Sequence, residues 1–214
     1  MFLSDLIFPR KCPFCRKTPA RGELMCRECE TSLPYTDMRG AYRTPEVWYT
    51  APLYYTGVVR TALRRFKFEN STAFAAPFAR LIAESVRCAE NMEYDIAAWV
   101  PVSMRRNYTR GYDHGRMLAR GVAKTLGCPL ERLLRKTRNT APQTEQADDR
   151  ARRENARGAF SAVNLPKLAG KRILLIDDVI TSGATLEECV QTLKHAGAAG
   201  VVCAGFAVTA KNRG

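Results

Sequence analysis

The 214-residue sequence predicts an α/β fold: a parallel sheet flanked by helices, with a small N-terminal four-cysteine module. Three observations predict it. Residues 171–178 read Lys-Arg-Ile-Leu-Leu-Ile-Asp-Asp, the near-continuous apolar run of a central parallel strand covered on both faces. From residue 47 onward, strand-like apolar runs alternate with helical periodicity, the pattern of βαβ units. Finally, Cys12-Pro13-Phe14-Cys15 and Cys26-Arg27-Glu28-Cys29 form two C-x-x-C pairs ten residues apart, which in a cytosolic chain point to metal more than to disulfides.

Taken in order, residues 1–35 form the cysteine-rich module. Cys12, Cys15, Cys26 and Cys29 offer four thiolates to one tetrahedral, structural zinc. The metal supplies stability that burial in so short a segment cannot. A redox dithiol is the competing reading, and the missing βαβ context around Cys12 counts against it. Residues 36–46, polar with Gly40 and Pro45, read as a linker to a second domain over 47–214.

In that domain, 47–55 is aromatic and apolar, a strand, and 58–66 a short helix. Residues 74–89 form a longer helix with Phe74, Phe78, Leu81 and Ile82 on one face. A buried strand follows at 95–102, then a helix at 115–126 with Met117, Leu118, Val122 and Leu126 inward and Gly127 as its stop. Residues 135–158 are charged and poor in large apolar groups, a loop with helical pieces. After the strand at 171–178, Thr185-x-x-Glu188 has the form of a capping box. Leu186, Val190 and Leu193 line the helix it opens, Gly197 ends it, and 200–208 is the next strand. Cys88, Cys128, Cys189 and Cys203, alone among apolar or small neighbours, read as buried thiols.

The formal net charge is +13, with basic clusters at 60–67, 105–120 and 132–157. This is either a generically basic surface or an attraction to something polyanionic, nucleic acid or a polyphosphorylated small molecule. With 46% apolar residues the chain has material for a core, which excludes disorder. It has no apolar run of about 18 residues, which argues against a membrane span, and residues 1–10 lack the charged start of a signal peptide. A cytoplasmic protein is expected.

The chemistry concentrates after Ile176. Ligands of open α/β sheets bind beyond the carboxyl ends of the strands, where Asp177 and Asp178 are expected. Thr181, Ser182, Gly183, Ala184 and Thr185 offer hydroxyls, small residues and free N–H groups at a helix N-terminus, a combination suited to phosphate. Two acids beside a phosphate cradle need something between them, and ribose hydroxyls or a hydrated Mg2+ would fill that gap. The constellation points to a sugar phosphate.

Residues 173–185, Ile-Leu-Leu-Ile-Asp-Asp-Val-Ile-Thr-Ser-Gly-Ala-Thr, closely resemble the phosphoribosyl-pyrophosphate signature of type I phosphoribosyltransferases. Over nearly its full length the chain is similar to the ComF family of competence-associated, phosphoribosyltransferase-like proteins. That resemblance rests on the C-x-x-C pairs, Tyr55-x-Gly57 leading to Phe66-Lys67-Phe68, Val100-Pro101-Val102 followed by Arg110-Gly111-Tyr112, and Asn155-Ala-Arg-Gly-Ala-Phe160. It implies that Asp177 and Asp178 contact ribose hydroxyls, with Mg2+ held by the ligand and water, and that residues 181–185 take the 5′-phosphate. It further implies that Arg105, Arg106 and Arg110 neutralise a leaving pyrophosphate and that Lys67 reaches phosphate. The family usually reads Arg-Gly-Phe-Asn-Gln where this chain has Arg110-Gly-Tyr-Asp-His114, which changes the charge beside the expected site. Thr181 stands where hypoxanthine–guanine type enzymes carry an aspartate facing the base.

Two functions follow from the resemblance. One is a transferase of phosphoribosyl groups to an unassigned acceptor. The other is a competence factor that binds single-stranded DNA and keeps the ligand site without turnover, with single-stranded DNA or DNA-uptake proteins as partners. Of the two histidines, His195 reads as structural and His114 as a weak acid/base candidate.

Overall fold

A computed structural model of the chain describes residues 11–37, 42–43, 47–69, 71–90, 92–101, 112–138, 154 and 156–209. The longest strands are those with the most continuous apolar runs. β7 (Arg172–Ile180) and β8 (Gly200–Val208) pair in parallel, and β4 (Ile96–Trp99) lies parallel on the other side of β7. β2 (Trp48–Thr50) and β3 (Leu53–Tyr54) both run parallel to β8, and β1 (Tyr42–Arg43) closes the edge antiparallel to β2. The stretch 47–55 is thus two short strands on one neighbour, broken at Ala51-Pro52, because proline cannot donate to a ladder. The linker region contributes β1, which its polar composition does not announce.

Successive residues of a strand face opposite sides, and the core divides accordingly. Leu174 and Ile176 of β7 join a layer built from α2 (Gly57–Phe68), α3 (Ala75–Cys88) and α4 (His114–Leu126). Phe78 of α3 stacks on Phe206 of β8, ring centroids 4.1 Å apart. Ile173 and Leu175 face the other layer, where Leu186, Val190 and Leu193 of α6 (Ala184–His195) pack beside Leu168 of the short α5 (Leu165–Leu168). The parallel sheet with helices on both faces matches the expected fold.

Three local expectations need correction. The helix after β7 has no capping box: Gly183 is its N-cap, in the left-handed region at φ 79°, with no side-chain cap. Glu188 instead accepts from the Gly158 N–H, 2.7 Å away. The charged stretch is bracketed by a hairpin that takes in only its first residues, β5 (Leu134–Lys136) pairing antiparallel with β6 (Phe160–Ala162). Its segment 139–153 lies outside the described residues. Of the four single cysteines, Cys189 and Cys203 are buried, but Cys88 is exposed and Cys128 half-buried.

The cysteine module packs on the helical layer. Cys12, Phe14, Met25, Cys29 and Leu33 share its core, around the short α1 (Arg27–Ser32). Phe14 lies against Phe78, and Glu30 forms an ion pair with Arg80 of α3. Among the described residues no helix is long and apolar enough to cross a membrane.

Candidate functional site

The sheet opens at Ile176. β4 pairs with β7 only up to Trp99 opposite Ile176, whereas β7 continues with β8 through Asp177 opposite Gly205 to Ile180 opposite Val208. Asp177 and Asp178 therefore sit inside β7, just before its end, at the point where one neighbour leaves. That is the crevice expected at the carboxyl end of a parallel sheet.

Adjacent in a strand, the two acids project to opposite layers. Asp178 Oδ2 lies 2.5 Å from Nζ of Lys67, which α2 supplies from the first layer. The sequence placed Lys67 on phosphate; the structure brings it to the acid pair. Asp177 Oδ1 accepts from the Asp178 N–H at 2.8 Å. Burial pushes its carboxyl up to about 7 and the Asp178 charge adds to that, while the same N–H and the charges of Lys67 and Lys136 pull the other way. Lys136 comes from β5, on the far side of the sheet, and sequence reasoning missed it because the hairpin itself was missed.

Beyond the acids, Asp177, Thr181, Gly183 and Thr185 line a shallow pocket. The first turn of α6 starts there, and Gly183 at its N-cap provides no side-chain cap, which leaves the first-turn N–H groups directed at this end of the helix. Ser182 Oγ is buried with no hydrogen-bond partner among the described residues. A buried hydroxyl left unpaired costs about 1–3 kcal/mol, and an anion in the turn would satisfy it. Residues 181–185 thus have the donors that a phosphate requires. Arg105, Arg106 and Arg110 lie outside the described residues.

The departures at 113 and 114 have structural explanations. Asp113 is the N-cap of α4: Oδ1 accepts from the Arg116 N–H at 3.0 Å and Oδ2 from Trp99 Nε1 at 3.1 Å. An aspartate just before a helical pattern is the signal that would have identified it. His114 is 2% exposed, edge-on to Phe66 with centroids 5.2 Å apart, which makes it core rather than acid/base machinery. His195 ends α6, exposed, where a cation suits the helix dipole.

In the module, the four Sγ atoms of Cys12, Cys15, Cys26 and Cys29 lie within 4.8 Å of one another. Cys15 and Cys26 are 3.4 Å apart, Cys26 and Cys12 3.8 Å. Tetrahedral zinc with bonds of about 2.3 Å sets its sulfurs about 3.8 Å apart, so the cluster fits that ion. Burial would raise the Cys12 thiol, but backbone N–H groups of Cys15, Cys26 and Phe14 outweigh it and bring it to about 7. Cys29 is pushed up, by burial first and then by the neighbouring thiols.

Comparison with known proteins agrees with both halves. The phosphoribosyl transferase domain family matches residues 113–214, and the double zinc ribbon domain family matches 3–39. The DNA utilization protein YhgH of Salmonella typhimurium is 29% identical over 197 residues, covering 89% of this chain and 80% of the relative. Competence protein F of Haemophilus influenzae is 31% identical over 141 residues, 63% of this chain and 61% of the relative. Competence protein ComFC of Streptococcus pneumoniae is 25% identical over 194 residues, 91% and 79%. Among solved structures, the glutamine phosphoribosylpyrophosphate amidotransferase of B. subtilis is 24% identical with a TM-score of 0.45, over 67% of this chain and 30% of that one. The two domain-family matches on this chain, together with its likeness to competence and DNA-utilization proteins, support its assignment to the ComF family.

Proposed function

We propose that the domain binds phosphoribosyl pyrophosphate with Mg2+, in the cytoplasm, and serves DNA uptake in natural competence. The observation that carries this reading is the turn 181–185, where an unpartnered buried serine hydroxyl and an uncapped helix N-terminus stand directly beyond two carboxylates. Asp177 and Asp178 take the ribose hydroxyls, and Thr181, Ser182, Gly183, Ala184 and Thr185 take the 5′-phosphate. Arg105, Arg106 and Arg110 are the candidates for the pyrophosphate. Lys67 neutralises Asp178 in the free chain and lies within reach of an incoming anion. Mg2+, where it accompanies the ligand, would supply positive charge to a departing pyrophosphate. Transfer, where it occurs, breaks the bond from the anomeric carbon to pyrophosphate, which leaves with the electron pair, as the acceptor's bond forms.

Calorimetric titration of phosphoribosyl pyrophosphate with MgCl2 into the zinc-loaded protein tests this. Saturable binding that an Asp177→Asn/Asp178→Asn variant loses supports the assignment; no binding by the folded wild type overturns it. A second reading, single-stranded DNA binding without turnover, is favoured by the net charge of +13 and by relatives named for DNA utilization. Salt-dependent binding of an oligonucleotide that survives the double substitution would support it.

A further inference from the structure

Away from the acid pair, a groove of about 430 Å3 lies between the cysteine module, the start of α3 and the exposed flank of α4. It shares no lining residue with the pocket at 177–186. Leu24, Ala76, Pro77 and Met117 make its surface apolar, while Lys11, Arg120 and Lys124 are its charged groups, with no carboxylate among the described lining residues. Lys11 Nζ donates to Thr18 Oγ1 at 3.3 Å. Arg120 and Lys124, both exposed, have no hydrogen-bond or ion-pair partner among the described residues. They stand four apart on α4, an arrangement in which like charges oppose each other.

We propose that this groove docks an acidic peptide segment of a partner protein, one that alternates carboxylates with large apolar side chains. The carboxylates would compensate Arg120 and Lys124, which have no partner among the described residues, and the apolar side chains would fill the basin between them. Single-stranded nucleic acid fits less well. Among the described residues no aromatic side chain lines the groove to stack a base, and its cations surround an apolar basin instead of following a backbone track. The surface is independent of the ligand reading at Asp177.

The test is fluorescence anisotropy with a fluorescein-labelled octapeptide of alternating glutamate and leucine, against the full zinc-loaded chain. Binding is expected that weakens about tenfold or more in an Arg120→Glu/Lys124→Glu variant, and equally when the peptide's glutamates become glutamines or its leucines serines. Should charge reversal disturb folding, judged by circular dichroism and melting, Arg120→Gln/Lys124→Gln replaces it with the same expectation. No binding, binding equal in wild type and variant, or undiminished binding of the glutamine peptide overturns the proposal. So does loss of oligonucleotide binding in the variant without any peptide binding, which would make the groove a nucleic-acid surface.

Discussion

An Asp177→Asn substitution removes a carboxyl that burial and the Asp178 charge push from the ordinary 3.8 to about 7, and it should stabilise the protein at neutral pH. The sign follows from proton binding. Between 3.8 and about 7 the folded chain still holds the Asp177 proton while the unfolded chain has released it. The folded state is therefore best favoured below that window and loses ground as pH rises through it, by at most about 1.4 kcal/mol per unit. Across about three units the loss reaches roughly 4 kcal/mol by pH 8, an upper bound because Asp177 is half-buried and water reaches the crevice. Asparagine keeps the shape and has no such dependence.

Urea denaturation of wild type and variant at pH 5 and pH 8 measures it. The advantage of the variant should grow by about 1–3 kcal/mol between the two pH values. Effects of pH on the thiols are common to both proteins and cancel in the difference. A difference that stays constant from pH 5 to pH 8 would refute the account of Asp177 as a carboxyl held against its own charge. Together with loss of ligand binding, the expected result would mean that this position trades stability for binding.

Other perturbations probe the surroundings. Lys67→Met leaves Asp178 without its cation at 2.5 Å and should cost about 1–3 kcal/mol by chemical denaturation. It should also raise the Asp177 titration midpoint, read by NMR of the side-chain carboxyl, because the Lys67 charge now lowers it. Gly121→Ala would set a Cβ 2.6 Å from that of Ala79, forcing α3 and α4 apart. Overpacking of about 1–3 kcal/mol outweighs the gain of about 1 kcal/mol in helix propensity, so the melting temperature should fall. Cys12→Ser should reduce bound zinc, measured by elemental analysis, and speed hydrogen exchange in the module.

The strand at 172–180 was legible because both of its faces are buried, which leaves no polar alternation to blur the run. The helix at 114–126 was legible for the opposite reason, a one-sided apolar stripe closed by Gly127 in the left-handed region at φ 72°. The turn at 181–185 was located correctly but misread locally. Thr185 and Glu188 have capping-box spacing, yet Gly183 begins the helix first and Glu188 answers an N–H from 30 residues away. No window of sequence contains that contact. The hairpin at 134–136 and 160–162 was hidden similarly, since each strand is three residues long and its partner is distant. Lys136 was lost with it.

Three consecutive residues of α2 tie the two halves of the molecule together. Arg65 Nη1 donates to the carbonyls of Pro13 at 3.5 Å and Phe14 at 3.2 Å, inside the loop that Cys12 and Cys15 close. The Phe66 carbonyl accepts from the Tyr112 hydroxyl at 3.1 Å, just ahead of α4, and Lys67 reaches Asp178. Residues two apart on a helix face away from each other, so α2 is held by the metal loop on one side and the acid pair on the other. The two acceptors of Arg65 have their geometry only while the cysteine loop is closed, and a loop of this length depends on its metal for that closure. The module therefore packs on the helix that carries Lys67, so loss of zinc from the cysteines would be felt along that helix as well as in the module itself.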